Sequence, residues 1–199
     1  MTKENSKNLF LGLTGRMGSG KGEVVKILES MGFIYTSLSD IVREEIAKLG
    51  RDVSRAETQD IGNRLRAEGG AGVLGKRTRE KIVSSLISNE LHNNWVIDGI
   101  RNPAEVVELR KLEGFLLLAV NADMKVILQR IKDRKRSTDS MDDEELMKRL
   151  DREWGIGEPD NGQQVGKCFN MADFIINNNT NLEDLKNEIN KVLNLITSK

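Results

Sequence analysis

The chain has 199 residues, and its 31 lysines and arginines balance its 31 aspartates and glutamates, so the formal net charge at pH 7 is zero. That balance argues against a general nucleic-acid binder, which carries an excess of basic charge. The single cysteine, Cys168, excludes an internal disulfide, and no apolar run is long enough to span a membrane. We therefore expect a soluble cytoplasmic protein without a nucleic-acid or membrane partner. The only histidine, His92, lies in a polar stretch and is expected on the surface, which argues against His/Cys metal clusters.

Short apolar segments alternate with amphipathic helical segments along the whole chain. The predicted strands are 9–14, 33–36, 95–97, 115–120 and 174–176. The predicted helices are 23–30, 40–49, 55–68, 74–91, 103–112, 123–131, 144–154 and 182–196. Alternation of this kind predicts an α/β fold, with a five-stranded, mostly parallel sheet covered by helices on both faces. We expect a single domain over 8–199, with a helical insertion at 38–92 and a short charged one at 132–143.

A glycine-rich segment between the first strand and the first helix fits the pattern G-x-x-x-x-G-K. In such a loop the glycines turn successive backbone N–H groups inward, the lysine reaches the β- and γ-phosphates, and the helix N-terminus adds partial positive charge. The segment predicts a nucleoside triphosphate site in a P-loop NTPase fold. Its residues are Gly15, Arg16, Met17, Gly18, Ser19, Gly20 and Lys21.

The residue after Lys21 departs from the usual pattern, because Gly22 stands where a Ser or Thr commonly ligates Mg²⁺. Glu23 follows, and it is a candidate metal group acting through water. Ser19 or Thr14 could contribute instead, and Glu23 could simply be an acid that favours the first turn of the helix.

Two further segments, in this order and spacing, resemble the adenylate-kinase-like nucleoside monophosphate kinases. The segment 36–43 resembles their I-S-T-G-D-x-L-R, and it supplies Ser37, Asp40 and Arg43 as acceptor-binding candidates. The segment 98–101 (Asp-Gly-Ile-Arg) resembles their D-G-F-P-R without the proline. The resemblance implies that Asp98 orients magnesium-bound water, that Arg43 and Arg101 hold the acceptor phosphate, and that 38–92 is the acceptor-binding subdomain.

The charged stretch and the helix after it also resemble the lid of that family. Arg130 and Arg134 are four residues apart, on one helix face. The resemblance implies that Arg130 packs on the donor base, and that Arg134 and Arg149 reach the transferring phosphoryl group, with Arg152 as a competitor for the place of Arg149. The default interpretation of the basic cluster is a solvated helix end.

Other parts of the chain are similar to two further groups. The tail from Gln164 to Asp184 resembles that of the dephospho-coenzyme A kinases. The closest whole-chain resemblance is to a group of archaeal and bacterial P-loop proteins, some of them fused to deoxycytidylate deaminase domains. They share G-K-G-E at 20–23 and I-D-G-I-R-x-x-x-E-V at 97–106.

These resemblances imply a kinase that transfers a phosphoryl group from ATP, with Mg²⁺, to a nucleoside or deoxynucleoside monophosphate. Lys21, Asp98, Arg134 and Arg149 are then the catalytic candidates, and Asp98 and Glu23 the metal candidates. One alternative is a dephospho-coenzyme A kinase, whose hydroxyl acceptor needs a base such as Asp40. The other is a regulatory module that binds the triphosphate without efficient transfer, as the glycine at position 22 suggests.

Overall fold

The computed structural model describes residues 8–89, 93–133 and 143–198. Strands and helices alternate within these ranges, as the sequence predicts. The strands are β1 (Phe10–Thr14), β2 (Ile34–Ser37), β3 (Trp95–Asp98), β4 (Phe115–Asn121) and β5 (Phe174–Asn177). The helices are α1 (Lys21–Ser30), α2 (Leu38–Lys48), α3 (Arg55–Gly69), α4 (Val73–Asn89), α5 (Pro103–Leu109), α6 (Met124–Asp133), α7 (Asp143–Trp154), α8 (Val165–Asn170) and α9 (Leu182–Thr197).

The five strands form one sheet in the order β2-β3-β1-β4-β5, and every neighbouring pair is parallel. The predicted α/β fold is confirmed, with a sheet that is wholly rather than mostly parallel. The central strand β1 lies between β3 and β4, so the winding of the chain reverses there. In open parallel sheets, ligands bind at the carboxyl ends of the strands around such a point.

Side chains along each strand enter two cores alternately, one on each face of the sheet. Phe10, Trp95 and Leu117 pack with α2 to α5 on one face. Their neighbours, Leu11 and Val96 among them, pack with α1 and α9 on the other. Because both faces are covered, the central strands β3, β1 and β4 are nearly continuous apolar runs, which is why they are recognisable in the sequence.

A third, smaller cluster joins α6 and α7. It contains Ile127 and Ile131 from α6 and Leu146 and Leu150 from α7, and Met17 of the phosphate loop packs against it. The α6–α7 pair therefore supports one side of that loop. The segment between the two helices, with Arg134, Arg136 and most of the predicted lid, lies outside the described residues.

Most boundaries lie within two residues of the predicted ones, and three differences have a clear physical reason. Helix α1 begins at Lys21, two residues before the predicted start, because Gly20 adopts a left-handed conformation and caps it. Helix α5 ends at Leu109, after which 110–114 form a turn. The short helix α8 was not predicted, since six residues are too few for a clear helical periodicity.

The described residues between β2 and β3 form α2, α3 and α4 with their connections. His92 and its two preceding neighbours lie outside the described residues. At the second insertion, Lys132 Nζ is 2.7 Å from Asp143 Oδ1, so an ion pair joins the described ends on either side of it. The functional division into subdomains stays a prediction.

Two further observations bear on the chemistry that the chain supports. In the described residues, no helix combines the length and the apolar character that crossing a membrane requires. Cys168 is buried, and its burial, with the nearby charge of Glu105, raises the pKa of the thiol to about 12. Since the thiolate is the reactive form, Cys168 is not a nucleophile at neutral pH.

Candidate functional site

The loop that follows β1 has backbone conformations that require glycine. Gly15, Gly18 and Gly20 have φ values of 139°, 83° and 99°. A side chain at Gly20 would also collide with the amide of Asn178, and one at Gly15 with the carbonyl of Val120. The glycine spacing recognised in the sequence therefore corresponds to a loop that other residues could not form.

Lys21 is the first residue of α1, and its ammonium group folds back over this loop. Its Nζ donates to the carbonyl oxygens of Gly15 at 2.5 Å and Arg16 at 2.9 Å. The positive charge is thus held above the loop and beside the N-terminus of α1. This is the geometry that an anionic phosphate group requires.

Asn178, just after β5, is hydrogen-bonded to the phosphate loop. Its Nδ2 donates to the Ser19 carbonyl at 2.9 Å. Arg130 Nη1 donates to the Asn178 carbonyl at 2.9 Å, and Nη2 to its Oδ1 at 3.3 Å. Arg130 therefore lies beside the loop with Asn178 as its partner, and its role at the donor base stays a prediction. Asn178 was not a predicted site residue, and an asparagine in a polar segment gives little signal.

The metal candidates have different surroundings. Asp98 ends β3, next to β1, and its Oδ1 is buried with no hydrogen-bond partner among the described residues. The Ser19 hydroxyl is buried and unpartnered in the same sense, whereas the Thr14 hydroxyl donates to the Ile100 carbonyl at 3.1 Å. A buried oxygen atom without a donor suits a hydrated cation, so Asp98 and Ser19 fit a magnesium site better than Thr14.

Gly22 and Glu23 offer less to a metal in this structure. Glu23 accepts a hydrogen bond from Lys26 at 2.9 Å, which agrees with its alternative interpretation as an acid that favours the first turn. A Cβ built on Gly22 would have no atom within 4 Å, so a hydroxyl-bearing side chain has room there. Within the described ranges, no three His, Cys, Asp or Glu residues cluster in a way that could hold a metal ion.

A cavity of about 910 Å³ lies between the phosphate loop, α2 to α4 and α7. Its volume is typical of a site for a small molecule. Six basic and three acidic residues line it, so it is net positive. The basic residues are Arg43, Arg66, Arg101, Lys148, Arg149 and Arg152, and the acidic ones are Glu145, Glu153 and Glu158. The cavity thus contains Arg43, Arg101 and Arg149, three of the arginines proposed from the sequence.

Arg43 is positioned by the start of α2. Ser37 caps this helix, and Asp40 completes a capping box by accepting the Ser37 N–H at 3.1 Å. The other carboxylate oxygen of Asp40 accepts from Arg43 Nη1 at 2.6 Å. Ser37 and Asp40 therefore form the frame that holds Arg43 at the cavity, and both oxygens of Asp40 have partners.

Arg101 follows β3 and crosses to the loop before α8. Its Nη1 is 3.3 Å from Gln163 Oε1 and 4.0 Å from Glu153 Oε1. The neighbouring Gln164 is structural, because its Nε2 donates to the carbonyls of Glu158 and Pro159. Gln163 thus faces the cavity, while Lys167 of α8 makes an exposed ion pair with Asp160.

A buried carboxylate, Glu105, organises the wall behind Arg101. Its Oε2 accepts the backbone N–H groups of Arg101 at 2.8 Å and Asn102 at 3.1 Å. Its Oε1 accepts Arg66 Nη2 at 2.9 Å and Nε at 3.3 Å. The side chain of Glu105 is wholly buried and that of Arg66 is 8% exposed. Glu105 was not predicted as a site residue, although Asn102 followed three residues later by Glu105 is the sequence signature of a capping box.

Helix α7 contacts the phosphate loop through Glu153, which was also not predicted. Glu153 Oε2 accepts the backbone N–H of Met17 at 2.7 Å. Arg16 Nη1 donates to the Leu150 carbonyl at 3.2 Å, and its guanidinium lies 4.0 Å over the Trp154 ring. Partial burial lowers the pKa of Arg16 below its ordinary value. Trp154 is therefore a packing partner of the loop.

Replacing Glu105 by Gln should destabilise the protein by about 3–5 kcal/mol, because it leaves the buried Arg66 guanidinium without its counter-charge. Chemical denaturation followed by circular dichroism measures this. Glu68→Gln is the matched control, since Glu68 lies on the helix of Arg66 and its exposed ion pair with Arg64 should contribute less than about 1 kcal/mol. Equal effects of the two substitutions would show that Glu105 does not have the organising role described here.

Comparison with known proteins is consistent with this geometry. The AAA domain family matches residues 11–151. A UPF0200 protein of Pyrococcus horikoshii is 32% identical over 189 residues, covering 94% of this chain and 96% of the relative. One of Thermococcus kodakarensis is 33% identical over 190 residues, with coverage of 94% and 97%.

Solved structures share the fold at low sequence identity. The protein TT1252 from Thermus thermophilus has a TM-score of 0.61 and 22% identity, over 95% of this chain and 98% of its own. A shikimate kinase from Bacteroides thetaiotaomicron has a TM-score of 0.56 and 15% identity, over 94% and 98%. The chain therefore has the fold of the P-loop kinases, and it belongs to the AAA domain family and to the UPF0200 proteins.

Proposed function

We propose that this protein transfers the γ-phosphoryl group of ATP, with Mg²⁺, to a nucleoside or deoxynucleoside monophosphate. The observation that carries the proposal is the position of the arginine-lined cavity directly beside the phosphate loop. Met17 of that loop lines the cavity together with Arg43, Arg101 and Arg149. A donor phosphate on the loop and an acceptor phosphate in the cavity would lie next to each other.

The residues have separate tasks in this reaction. Lys21 and the inward N–H groups of the loop neutralise the β- and γ-phosphates, and Arg43 and Arg101 clamp the acceptor phosphate. An acceptor phosphate oxygen forms the new bond to the γ-phosphorus as the bond to the β,γ-bridging oxygen breaks, and ADP leaves with that electron pair. Magnesium, when bound, neutralises charge on the donor phosphates, and Asp98 and Ser19 are the groups that would hold its water shell. Arg149, with Arg134 from the lid, would stabilise the transferring group.

An acceptor that is already a phosphate needs no general base. This favours a nucleoside monophosphate over dephospho-coenzyme A, whose hydroxyl must lose a proton. Asp40 would be the base for the second reaction, but its two carboxylate oxygens are engaged with the Ser37 N–H and with Arg43. A cytoplasmic location and the absence of nucleic-acid and membrane partners remain part of the proposal.

The direct test is ADP formation from ATP and Mg²⁺ with a panel of ribo- and deoxynucleoside monophosphates and dephospho-coenzyme A. We expect turnover with at least one monophosphate, and a loss of about 100- to 1,000-fold in kcat in Lys21→Ala, because a charge that stabilises the transition state is removed. Lys26→Ala is the matched control, since this lysine lies on the same helix in an exposed ion pair with Glu23. No transfer to any acceptor, with ATP binding intact, would contradict the proposal.

Gly22 favours a second candidate function, that of a regulatory module that binds ATP without efficient transfer. The usual Ser or Thr hydroxyl is missing at this position, and the missing ligand would weaken magnesium binding. In a kinase, other residues of the site would compensate for the missing hydroxyl, whereas in a regulatory module they would not.

The Gly22→Ser variant should fold normally, since the new side chain meets open space. If the missing hydroxyl limits metal binding, the substitution should lower the Mg²⁺ concentration that gives half-maximal ATP turnover by about 10- to 100-fold. Titration of Mg²⁺ in the ATP assay measures this, and Gly22→Ala separates the hydroxyl from the added methyl group. An unchanged Mg²⁺ requirement in Gly22→Ser would show that other residues already complete the site.

Glu153 places a negative charge against the N–H group of Met17, where donor phosphates would approach. Glu153→Gln removes that charge, so we expect ATP to bind about 10-fold more tightly, as relief of a single partly screened repulsion would allow. Isothermal titration with ATP measures the change. Glu144→Gln is the control, because Glu144 lies on the same helix and makes an exposed ion pair with Lys148. Weaker binding in Glu153→Gln would show that the carboxylate supports the loop rather than opposing phosphate.

A further inference from the structure

The arginine-lined cavity extends beyond the proposed phosphate clamp to a wall formed by α2 and α3. Val42, Thr58, Gly62, Asn63 and Arg66 line this wall, and Leu74 of α4 lies at the same cavity. Here the surface combines the apolar side chains of Val42 and Leu74 with the polar groups of Thr58, Asn63 and Arg66. That composition suits the part of an acceptor that is not its phosphate.

Arg66 is the charged group of this wall, and only part of its guanidinium is used within the protein. Nε and Nη2 donate to Glu105 Oε1. Nη1 donates no hydrogen bond to any of the described residues. The Arg66 side chain is only 8% exposed. A buried arginine with one donor edge turned away from its counter-ion has capacity for a further acceptor atom.

Gly62 leaves space in front of that edge. It lies one helical turn before Arg66, and a Cβ built on it would be 3.5 Å from Arg66 Nη1 and 3.8 Å from Val42 Cγ2. Both Gly62 and Arg66 line the cavity. A ligand can therefore approach Nη1 across the glycine, with the side chain of Val42 beside it.

Glu105 holds Arg66 and the backbone of Arg101 at the same time. The free edge of Arg66 is thus fixed relative to the arginine that is proposed to clamp the acceptor phosphate. A fixed distance between a phosphate group and a second hydrogen-bond donor is what selection among nucleotides requires.

We infer that Arg66 is a specificity-determining residue that reads the base of the acceptor and selects bases with a carbonyl group. The inference rests on the proposed function. Guanine presents O6 and N7 side by side, cytosine presents O2 beside N3, and uracil and thymine present two carbonyl oxygens. Adenine places its exocyclic amino group, a donor, next to N1 and N7, and this group opposes the arginine donors.

The test measures dissociation constants for AMP, GMP, CMP and UMP, and for their deoxy forms with dTMP, by calorimetry. A non-hydrolysable ATP analogue occupies the phosphate loop during the titrations. We expect at least one carbonyl-bearing nucleotide to bind about 10- to 100-fold more tightly than AMP. Arg66→Lys keeps a charge for Glu105 but lacks the second donor edge, so it should reduce this ratio to within about threefold of unity.

Arg64→Lys is the matched control, because Arg64 lies on the same helix, is not among the cavity-lining residues and pairs with Glu68. It should leave the ratio unchanged. If Arg66→Lys does not fold by circular dichroism, Gly62→Ala carries the test, since its methyl group covers the approach to Nη1 and should also reduce the ratio. Equal or tighter binding of AMP to the wild type, or an unchanged ratio in the folded variants, would overturn the inference.

Measuring phosphoryl transfer with the same acceptors separates the inference from the function on which it rests. Transfer without a preference for carbonyl-bearing bases would overturn the inference and leave the kinase intact. Selective binding without transfer would support the role of Arg66 and count against the kinase. Absence of binding by every monophosphate would overturn both.

Discussion

The carboxylate of Glu105 is the interaction on which the arrangement of this site depends. It receives four donors, two from Arg66 on α3 and two backbone N–H groups from the turn that carries Arg101. A buried charge is tolerated only when it is fully paired, so these elements are constrained to meet at one point. Helix α4 closes the arrangement, because Gly75 lets it pack against the backbone of Glu105. The helical insertion and the sheet are thereby joined at the edge where the cavity opens.

Some acidic side chains of the cavity pair with its arginines, and an anionic ligand would take their place. Arg152 is 2.7 Å from Glu158, and Arg101 lies near Glu153, so acidic side chains partly neutralise the basic wall. Such exposed and half-exposed pairs contribute little to stability. They do reduce the repulsion among the arginines until phosphate groups bind. The net positive character that remains would let a chain of zero net charge hold the doubly anionic acceptor that we propose.

Much of the fold and one side of the site could be predicted from the sequence. The strands are apolar runs covered on both faces, and the phosphate loop requires glycine at fixed positions, so both leave strong local patterns. Arg43 and Arg101 were found because they stand in short motifs beside strand ends. Glu105 and Arg66 are 39 residues apart, and Glu153 and Met17 are 136 apart, so neither pairing leaves a local signal. Helix α8 was missed because it is too short to show a period.

Because position 22 has no hydroxyl, a magnesium ion would depend on other groups, and the carboxyl end of β3 offers one in Asp98. Asp98 Oδ1 and the Ser19 hydroxyl are buried beside the loop and have no hydrogen-bond partner among the described residues. Leaving such atoms unsatisfied costs roughly 1–3 kcal/mol each, a cost that a folded protein carries where a ligand later supplies the partner. Gly22 borders open space and bears no such cost. If magnesium accompanies ATP here, Asp98 and Ser19 are the residues that would hold its water shell, and the first turn of α1 would offer it no hydroxyl.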